Sequence, residues 1–456
     1  MQDFDVLFKI EQILAGFSQG LTIPECKFLK DLVFGILRSQ SSLLSEISRA
    51  IAVKQEVKRI YKRLDINLGR YDLTRCYERA QTEMLERVDE TFLFIFDPSE
   101  IVKPFAKKME GLALVRDASE KPLKIRTPLG KTVEKHPLKP GYPLRVAIAM
   151  SQNGDILPIE LSLYSCASEF FISENDEYIQ ALETLIHKTH FAPVLVLDRE
   201  FDVFSIMRHL CELRQRFIVR VTKNRKYRVA GDVFIPGTTL TYDRQGIIEK
   251  HAYLSSKEWI TYTRNGKVKT LLFEFKATNV ELLSEQKKSG VFRDPGDDQA
   301  LTLVQVKIRK ETGTPTLYLL TNSRPETAAD LTRIGKSYLA RWNIEEYIRF
   351  LKQHFSLEDF LVRDLGRMKN LVRATYIATV VIHLLTDRTT KKGFHTHHHL
   401  LTRSLPVNTP KLSRDFFLYS YGMGLANIVE LNKKLLTPSK GRSKKSGNAA
   451  QLQMGF

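Results

Sequence analysis

The sequence predicts an α/β protein in which a mixed β-sheet and a β-rich block are flanked by helical regions at both ends. Residues 1 to about 90 show helical periodicity almost throughout. From residue 91, short apolar runs alternate with helical stretches, as expected for a sheet covered by helices. Residues 227 to about 320 are rich in strand-like segments. The chain has 456 residues, 43% of them hydrophobic, which is enough for a large core.

The charge indicates the kind of partner. The chain has 70 Lys and Arg against 52 Asp and Glu, a formal net charge of +18, which favours a polyanion such as nucleic acid. A membrane is not expected, because Met1 to Asp5 contain no basic stretch before an apolar core. The longest apolar run, Tyr376 to Leu385, is too short to span a bilayer and reads as a short buried helical segment. We therefore expect a cytoplasmic, nucleoid-associated protein.

The Cys and His residues give little indication of a metal site. Four cysteines lie far apart without a C-x-x-C pair, which argues against a zinc ribbon or a disulfide framework: Cys26, Cys76, Cys166 and Cys211. A His cluster at His395 and His397 to His399 has no Cys or carboxylate at ligand spacing. A surface segment is the simpler interpretation of this cluster, and a metal site is the alternative.

One stretch of the N-terminal region is strongly basic. Ser45-Glu46-Ile47-Ser48 could cap a second helix after a turn, which would give a helix-turn-helix-like arrangement. Four basic residues would then form a DNA-binding face: Lys58, Arg59, Lys62 and Arg63. A helix face that simply meets solvent explains the same charges, and both interpretations stay open.

Two apolar runs end in aspartates. Phe92 to Phe96 is followed by Asp97-Pro98, and Val194 to Leu197 is followed by Asp198. If the two strands are parallel neighbours, their aspartates meet at the carboxyl end of the sheet. An Asp after a strand is more often a cap or turn residue, so this pair alone is weak evidence for a site.

The other elements complete the order strand, hairpin, helix, strand, helix, strand. They are the hairpin of Leu144 to Met150 and Ile156 to Leu163 with its Asn153-Gly154 turn, the helix Asn175 to Lys188, and the strand Phe217 to Val221. In the β-rich block we expect a hairpin at Arg264 to Lys267 and a loop at Ser284 to Asp298. Helical periodicity returns at Pro325, and Arg388 to Phe456 contribute +10 of the net charge.

The segment Tyr338 to Lys352 has a functional-looking face when drawn as one helix. Tyr338, Arg341, Glu345 and Lys352 share an arc of about 60° opposite an apolar face. Glu346 lies about 100° away from this arc, which favours Glu345. The pattern alone is equally typical of an exposed helix with ion pairs.

The spacing of these residues, Y-x2-R-x3-E-x6-K, resembles the signature of a large family of bacterial insertion-sequence transposases. Phe94 to Pro104 resembles the block around the family's first aspartate, and Val196 to Asp202 resembles the block around its second. The resemblance covers roughly residues 91 to 385. It implies an RNase H-like fold with a β-rich insertion and a catalytic, metal-binding triad of Asp97, Asp198 and Glu345.

The resemblance also implies partners and cofactors. The triad would hold two Mg²⁺ or Mn²⁺ ions, since hard cations prefer carboxylate oxygens. Tyr338, Arg341 and Lys352 would contact the DNA backbone, and Trp259 would stack on a flipped base unless it is a core residue. Arg199 and Lys103 are further possible phosphate contacts. The expected partner is double-stranded DNA, both element ends and target, bound by a homodimer in a synaptic complex.

The resulting division is a helical DNA-binding region (1–90), a core in two parts (91–225 and 325–385), an insertion (226–324) and a basic C-terminal region (386–456). Two alternatives keep the fold but change the function: a metal-dependent nuclease, and an inactive DNA-binding regulator of transposition. Glu200 motivates the second alternative, because many family members have Gly there and Gly permits a tight turn more readily.

Overall fold

The computed structural model describes residues 2–52, 56–126, 132–152, 154–222, 225–230, 241–264, 267–282, 301–310 and 313–386. The expected loop at Ser284 to Asp298, the His cluster and the basic C-terminal region lie outside the described residues.

The N-terminal region folds into helices. They are α1 (Gln2–Phe17), α2 (Ile23–Ser39), α3 (Leu44–Ile51), α4 (Val57–Arg70) and α5 (Thr74–Leu85). The predicted cap at Ser45 to Ser48 is wrong, because α3 already begins at Leu44 and Leu43 at its N-cap makes no side-chain cap bond. Helices α2 and α3 pack closely at Gly35, where a Cβ would lie 2.5 Å from Cγ2 of Ile47.

The strands follow in chain order. They are β1 (Leu93–Val102), β2 (Ala113–Arg116), β3 (Leu123–Arg126), β4 (Thr132–Lys135), β5 (Leu138–Met150), β6 (Ile156–Leu163), β7 (Val194–Leu197), β8 (Phe217–Arg220), β9 (Tyr227–Val229), β10 (Leu254–Arg264), β11 (Lys267–Leu282), β12 (Leu301–Arg309) and β13 (Thr316–Thr321). Helix α6 (Glu174–His187) precedes β7, and α7 (Phe204–Glu212) precedes β8. The hairpin predicted around Asn153-Gly154 is confirmed by the antiparallel pairing of β5 with β6.

The core sheet has the order β6-β5-β1-β7-β8. Strand β5 pairs antiparallel with β6 and with β1, whereas β7 pairs parallel with β1 and with β8. This order and these directions are those of an RNase H-like sheet, so the predicted fold class is confirmed. The sequence did not predict β2, or the separate β3–β4 hairpin between β1 and β5.

The β-rich block continues this sheet. Strand β13 pairs antiparallel with β8, and β12, β11 and β10 follow in antiparallel order. Short strand β9 pairs with β11, and helix α8 (Arg244–His251) lies between β9 and β10 in the chain. The predicted hairpin is present, with Arg264 paired to Lys267.

Three helices close the described chain: α9 (Ala328–Leu339), α10 (Trp342–His354) and α11 (Leu365–Thr386). Helix α11 contains the run Tyr376 to Leu385, and the helix is longer than the short segment predicted from this run. The run itself is almost wholly buried. Its Tyr376 hydroxyl donates to the carbonyl of Pro158 on β6 (3.1 Å). Among the described helices, none is long and apolar enough to cross a membrane.

The N-terminal helices are joined to the core by buried polar contacts. On α11, the Asn370 amide donates to the carbonyls of Leu68 (2.9 Å) and Tyr71 (2.7 Å) at the end of α4. On α5, the Tyr77 hydroxyl donates to the Glu160 carboxylate on β6 (2.7 Å). Buried groups of this kind are costly to leave unpaired, so these contacts fix the position of the helical region on the sheet.

Candidate active site

Asp97 lies inside β1, and the expectation that the strand ends at this aspartate is wrong. Strand β1 stays paired with β5 as far as Val102, but its pairing with β7 stops at Phe96. Within the described part of the chain, β1 therefore has a neighbour strand on one side only beyond Phe96, which tolerates Pro98. Alternation along the strand places Asp97 on the face opposite Phe96, whose ring packs against Phe201 (5.4 Å between centroids).

Asp198 is brought next to Asp97 by the register of two parallel strands. Phe96 of β1 is opposite Leu197 of β7, so the two aspartates directly follow the last paired positions. After Asp198 the chain makes a short 3₁₀ turn, Arg199–Phe201.

Glu200 sits in this turn with an ordinary backbone. It is not among the described non-glycine residues with positive φ, so the turn does not require the Gly found in many family members. Its carboxylate accepts a hydrogen bond from Arg116 on β2 (2.5 Å). In the structure, Glu200 therefore pairs with Arg116.

Glu345 reaches the aspartates from α10, but the single helix expected from Tyr338 to Lys352 is wrong. Helix α9 ends at Leu339 and α10 begins at Trp342. At the junction, the amide of Arg341 bonds to the carbonyl of Tyr338 (3.0 Å), three residues back. Glu345 lies in the first turn of α10, where the helix dipole favours a negative charge.

The two adjacent glutamates have different surroundings. Glu345 contacts the Arg341 guanidinium. Glu346 instead pairs with Arg349, three residues farther along α10 (2.6 Å). The structure therefore brings Glu345, and not Glu346, together with the aspartates.

Arg341 is the centre of the site, and each of its three nitrogens faces a different carboxylate. Its Nη1 lies 2.8 Å from Oδ2 of Asp97, its Nε lies 3.9 Å from Oδ1 of Asp198, and its Nη2 donates to Oε1 of Glu345. The Tyr338 hydroxyl donates to Oδ1 of Asp198 (3.2 Å). The Arg341 side chain is only 12% exposed, so this cation is held away from bulk water.

The electrostatics of the site show that its negative charge is poorly compensated. Burial, and then repulsion from Asp198 and Glu345, raise the pKa of Asp97 to about 7 although Arg341 opposes the shift. Burial and the neighbouring Asp198 likewise raise the pKa of Tyr338. Burial lowers the pKa of Arg341, but the surrounding carboxylates outweigh it and leave that pKa above its usual range. Three carboxylates thus share one cation.

The donor set of this site suits hard divalent cations. Asp97, Asp198 and Glu345 offer only carboxylate oxygens, the ligands that Mg²⁺ prefers, and one guanidinium leaves their charge undercompensated. In the arrangement described, no group of three or more His, Cys, Asp or Glu among the described residues is spaced to hold a metal ion. The residues fit the cation chemically, while their present geometry is organised around Arg341.

Lys352 lies farther along α10 and contacts a different carboxylate. Its Nζ is 3.1 Å from Oε1 of Glu358. Burial raises the pKa of Glu100, on β1, to about 7, and nearby Lys352 opposes this shift. Lys352 therefore lies near carboxylates other than those of the triad.

Lys103 does not support the expectation of a phosphate contact. Its ammonium donates to the carbonyls of Glu358 and Phe360 (2.5 Å to the latter) and lies 4.1 Å from the centroid of the Phe360 ring. Its burial lowers the pKa of the ammonium to about 8. Lys103 is a buried link between the end of β1 and the segment after α10.

Arg199 and Trp259 are both accessible. Arg199 is exposed immediately after Asp198. Trp259 is 67% exposed on β10, so the alternative that it is a core residue is wrong. It lines a cavity of ≈ 2020 Å³ together with Trp342, the residue after Arg341. The same cavity is lined by Leu93 and Val194 at the starts of β1 and β7, and its lining does not include Asp97, Asp198 or Glu345.

Three of the four basic residues predicted on the N-terminal DNA-binding face are exposed. Lys58, Arg59 and Lys62 lie on α4 in contact with solvent. Arg63 differs from them, because its guanidinium pairs with Asp31 on α2 (2.6 Å). That contact reduces what Arg63 can offer to a phosphate.

One part of the site was missed in the sequence. The Asp202 side chain is fully buried, with Oδ1 2.7 Å from Nε of Arg225, and Oδ2 accepts from the amide of Thr222 (2.7 Å). Because Asp202 lies four residues after Asp198, this pair anchors the turn that carries the second aspartate. Its only sequence signal is the acidic residue that ends the second-aspartate block.

Residues 167–381 match the model of a family described as "Transposase DDE domain". The match includes Asp198 and Glu345 but begins after Asp97. The assignment of Asp97 to the triad therefore rests on the register between β1 and β7. No curated protein matches the sequence.

Among solved structures, one similar chain comes from the cryo-EM structure of a piggyBac transposase synaptic complex with hairpin DNA. The identity is 10%, and the alignment covers 90% of this chain and 72% of that chain, with a TM-score of 0.36. A score this low does not establish a shared fold.

Proposed function

We propose that the chain cuts and joins DNA at the ends of an insertion sequence, a proposal supported by the match of residues 167–381 to the model of a transposase DDE domain. The reaction is an in-line displacement at phosphorus, in which water or a 3′-hydroxyl attacks and another strand oxygen leaves.

The observation that carries the proposal is the meeting of three carboxylates from separate elements. Asp97 on β1 and Asp198 after β7 are adjacent because the two strands are parallel and in register. Glu345 comes from α10 and shares the Arg341 guanidinium with Asp97. Such a cluster suits the catalysis of phosphoryl transfer much better than a purely structural role, because it leaves buried negative charge undercompensated.

We assign Asp97, Asp198 and Glu345 as the ligands of two Mg²⁺ or Mn²⁺ ions. When bound, such ions would activate the attacking oxygen and stabilise the leaving one. The chain's own residues would orient the DNA: Arg341 can grip a phosphate through two N–H groups, and Tyr338 can donate a hydrogen bond. Lys352 and the exposed Arg199 would add positive charge beside the strand.

Other surfaces would hold the rest of the DNA. The exposed Lys58, Arg59 and Lys62 of α4 would contact phosphates of the element end. Exposed Trp259 would stack on an unpaired base, since a stacked base gains from an accessible aromatic ring. We propose that residues 1–90 bind DNA, that 91–225 and 325–385 form the catalytic core around the insertion 226–324, and that the basic residues 386–456 add to DNA affinity. Two chains would act together in a synaptic complex.

The experiment uses duplex DNA that carries the terminal repeats flanking the gene. Asp97→Asn, Asp198→Asn and Glu345→Gln should each abolish Mg²⁺-dependent cleavage while DNA binding persists. Retained cleavage in all three variants would contradict the assignment of the catalytic triad. A precut 3′-hydroxyl end supplied with target DNA should yield joined product. Cleavage without joining would leave a nuclease, and binding without any cleavage would leave a regulator.

A further inference from the structure

The guanidinium of Arg341 occupies the centre of the three carboxylates. Nη1 hydrogen-bonds Asp97 and Nη2 hydrogen-bonds Glu345, while Nε lies 3.9 Å from Asp198, so one planar cation contacts all three carboxylates. The Asp97 contact, at 2.8 Å, is a full charge-assisted hydrogen bond.

These contacts use the same oxygens that a divalent cation would use. A lone pair that accepts a hydrogen bond from the guanidinium cannot at the same time coordinate a metal ion, so each Arg341 contact removes one of the coordination positions that the carboxylates offer. Two like charges at this separation also repel strongly in a site shielded from water. Binding of Arg341 and binding of metal ions to the triad therefore oppose each other in this geometry.

We infer that Arg341 is a competitive latch, which neutralises the triad while the protein is free of DNA and leaves it when DNA and metal ions bind. This inference rests on the proposed function, because the phosphate that would receive the released guanidinium belongs to the DNA substrate. In the free protein, the latch lowers the affinity of the triad for divalent ions. Bound DNA would raise that affinity, and the coupling is reciprocal by thermodynamic necessity.

The position of Arg341 in the chain suits such a movement. It lies at the junction of α9 and α10 and acts as the N-cap of α10, with no side-chain cap bond. Its guanidinium can therefore leave the triad by side-chain rotation without disturbing a cap. Tyr338 has a hydrogen bond of its own to Asp198, separate from the Arg341 contact.

The test measures Mn²⁺ binding to the full chain without DNA, by the electron paramagnetic resonance signal of the free ion. Arg341→Gln should bind Mn²⁺ at least about tenfold more tightly than the unaltered protein, equivalent to about 1.4 kcal/mol. Arg341→Lys, which keeps one charge but lacks the fork of donors, should fall between them. The matched control is Arg349→Gln, which removes an arginine of α10 that pairs with Glu346 and should leave Mn²⁺ affinity unchanged.

Equal or weaker Mn²⁺ binding by Arg341→Gln would overturn the latch, and so would an equal gain in Arg349→Gln. Adding Asp97→Asn to Arg341→Gln must remove the gain, because the ion is then assigned to the triad; a gain that survives also overturns the inference. If Arg341→Gln does not fold, Arg341→Lys decides by the same comparison. In variants that fold, the rise in Tm caused by Mn²⁺ should exceed that of the unaltered protein.

This test separates the latch from the function it rests on. No DNA and no turnover enter the measurement, so a chain that never cleaves DNA can still show the latch. Conversely, a chain that cleaves and joins DNA but binds Mn²⁺ equally with and without Arg341 loses only the latch.

Discussion

Replacing Asp202 with Ala tests how the turn that carries Asp198 is held in place. The Asp202 side chain is fully buried and lies 2.7 Å from Nε of Arg225, whose side chain is 13% exposed. Its other oxygen accepts from the amide of Thr222. The substitution would leave a nearly buried guanidinium without its counter-charge and the Thr222 N–H without its acceptor, while the Arg225 Nη2 keeps its hydrogen bond to the Asp202 carbonyl.

The magnitude follows from these two losses. Breaking a buried ion pair by removing one partner costs about 3–5 kcal/mol. The orphaned amide adds to this cost, although the two losses overlap because relaxation and water relieve them together. We therefore expect Asp202→Ala to lower the free energy of unfolding by about 3–5 kcal/mol. Asp202→Asn keeps an acceptor for Thr222 and should cost about 1–3 kcal/mol.

The assay is urea denaturation of the full chain with a chelator present, followed by far-ultraviolet circular dichroism. Because the pair anchors the turn after β7, Asp202→Asn should also slow DNA cleavage while DNA binding is unchanged. A loss of less than about 1 kcal/mol in Asp202→Ala would refute the reasoning, since it would mean that neither the ion pair nor the amide depends on Asp202.

Two further predictions concern charge. In the folded protein the pKa of Glu100 is raised to about 7 from an ordinary 4.5. As the pH rises, the unfolded chain therefore loses this proton before the folded protein does. The resulting destabilisation of the folded protein is absent below pH 4.5 and complete above pH 7. Glu100→Gln should therefore stabilise the protein by up to about 3 kcal/mol at about pH 8 but hardly at about pH 4.5 in urea denaturation, and equal effects at both values would contradict the assignment. Replacing Lys58, Arg59 and Lys62 together with Ala should weaken DNA binding and reduce the slope of log K against log salt by roughly 2–3. Arg63→Ala, which breaks the pair with Asp31, should change that slope much less, and an unchanged slope in the triple variant would exclude this face from binding.

Local features of the fold were predictable where the signal is local. The run Val194 to Leu197 predicts β7 to the residue, because four apolar residues in succession suit a strand buried on both faces. The Asn153-Gly154 turn predicts the β5–β6 hairpin for a similar reason, since this dipeptide suits the turn that joins two strands.

Features that depend on distant partners were not predictable. Strand β1 passes through Asp97-Pro98 because β5 remains paired with it on one side. No feature of the β1 sequence indicates that β5 pairs with it. In the same way, the pairing of β13 with β8 joins the β-rich block to the core sheet, which its composition alone cannot reveal.

In the candidate site, too, some features were predictable from the sequence and others were not. The spacing singles out Tyr338, Arg341 and Glu345, although the single helix assumed for them breaks before Arg341. Ala340 and Arg341 are both good helix formers, so the sequence carries no Gly or Pro to mark the break. Contact among the three residues survives because Arg341 and Glu345 remain about one turn apart across the start of α10.

The most direct measurement compares Glu345→Gln with Glu346→Gln in Mg²⁺-dependent cleavage of duplex DNA that carries the element ends. The two residues are adjacent in the chain, yet Glu345 joins Asp97 at the Arg341 guanidinium and Glu346 pairs with Arg349. We expect Glu345→Gln to abolish cleavage without loss of DNA binding and Glu346→Gln to cleave as the unaltered protein does. Cleavage that survives in Glu345→Gln, or is lost equally in both variants, would contradict the proposed active site.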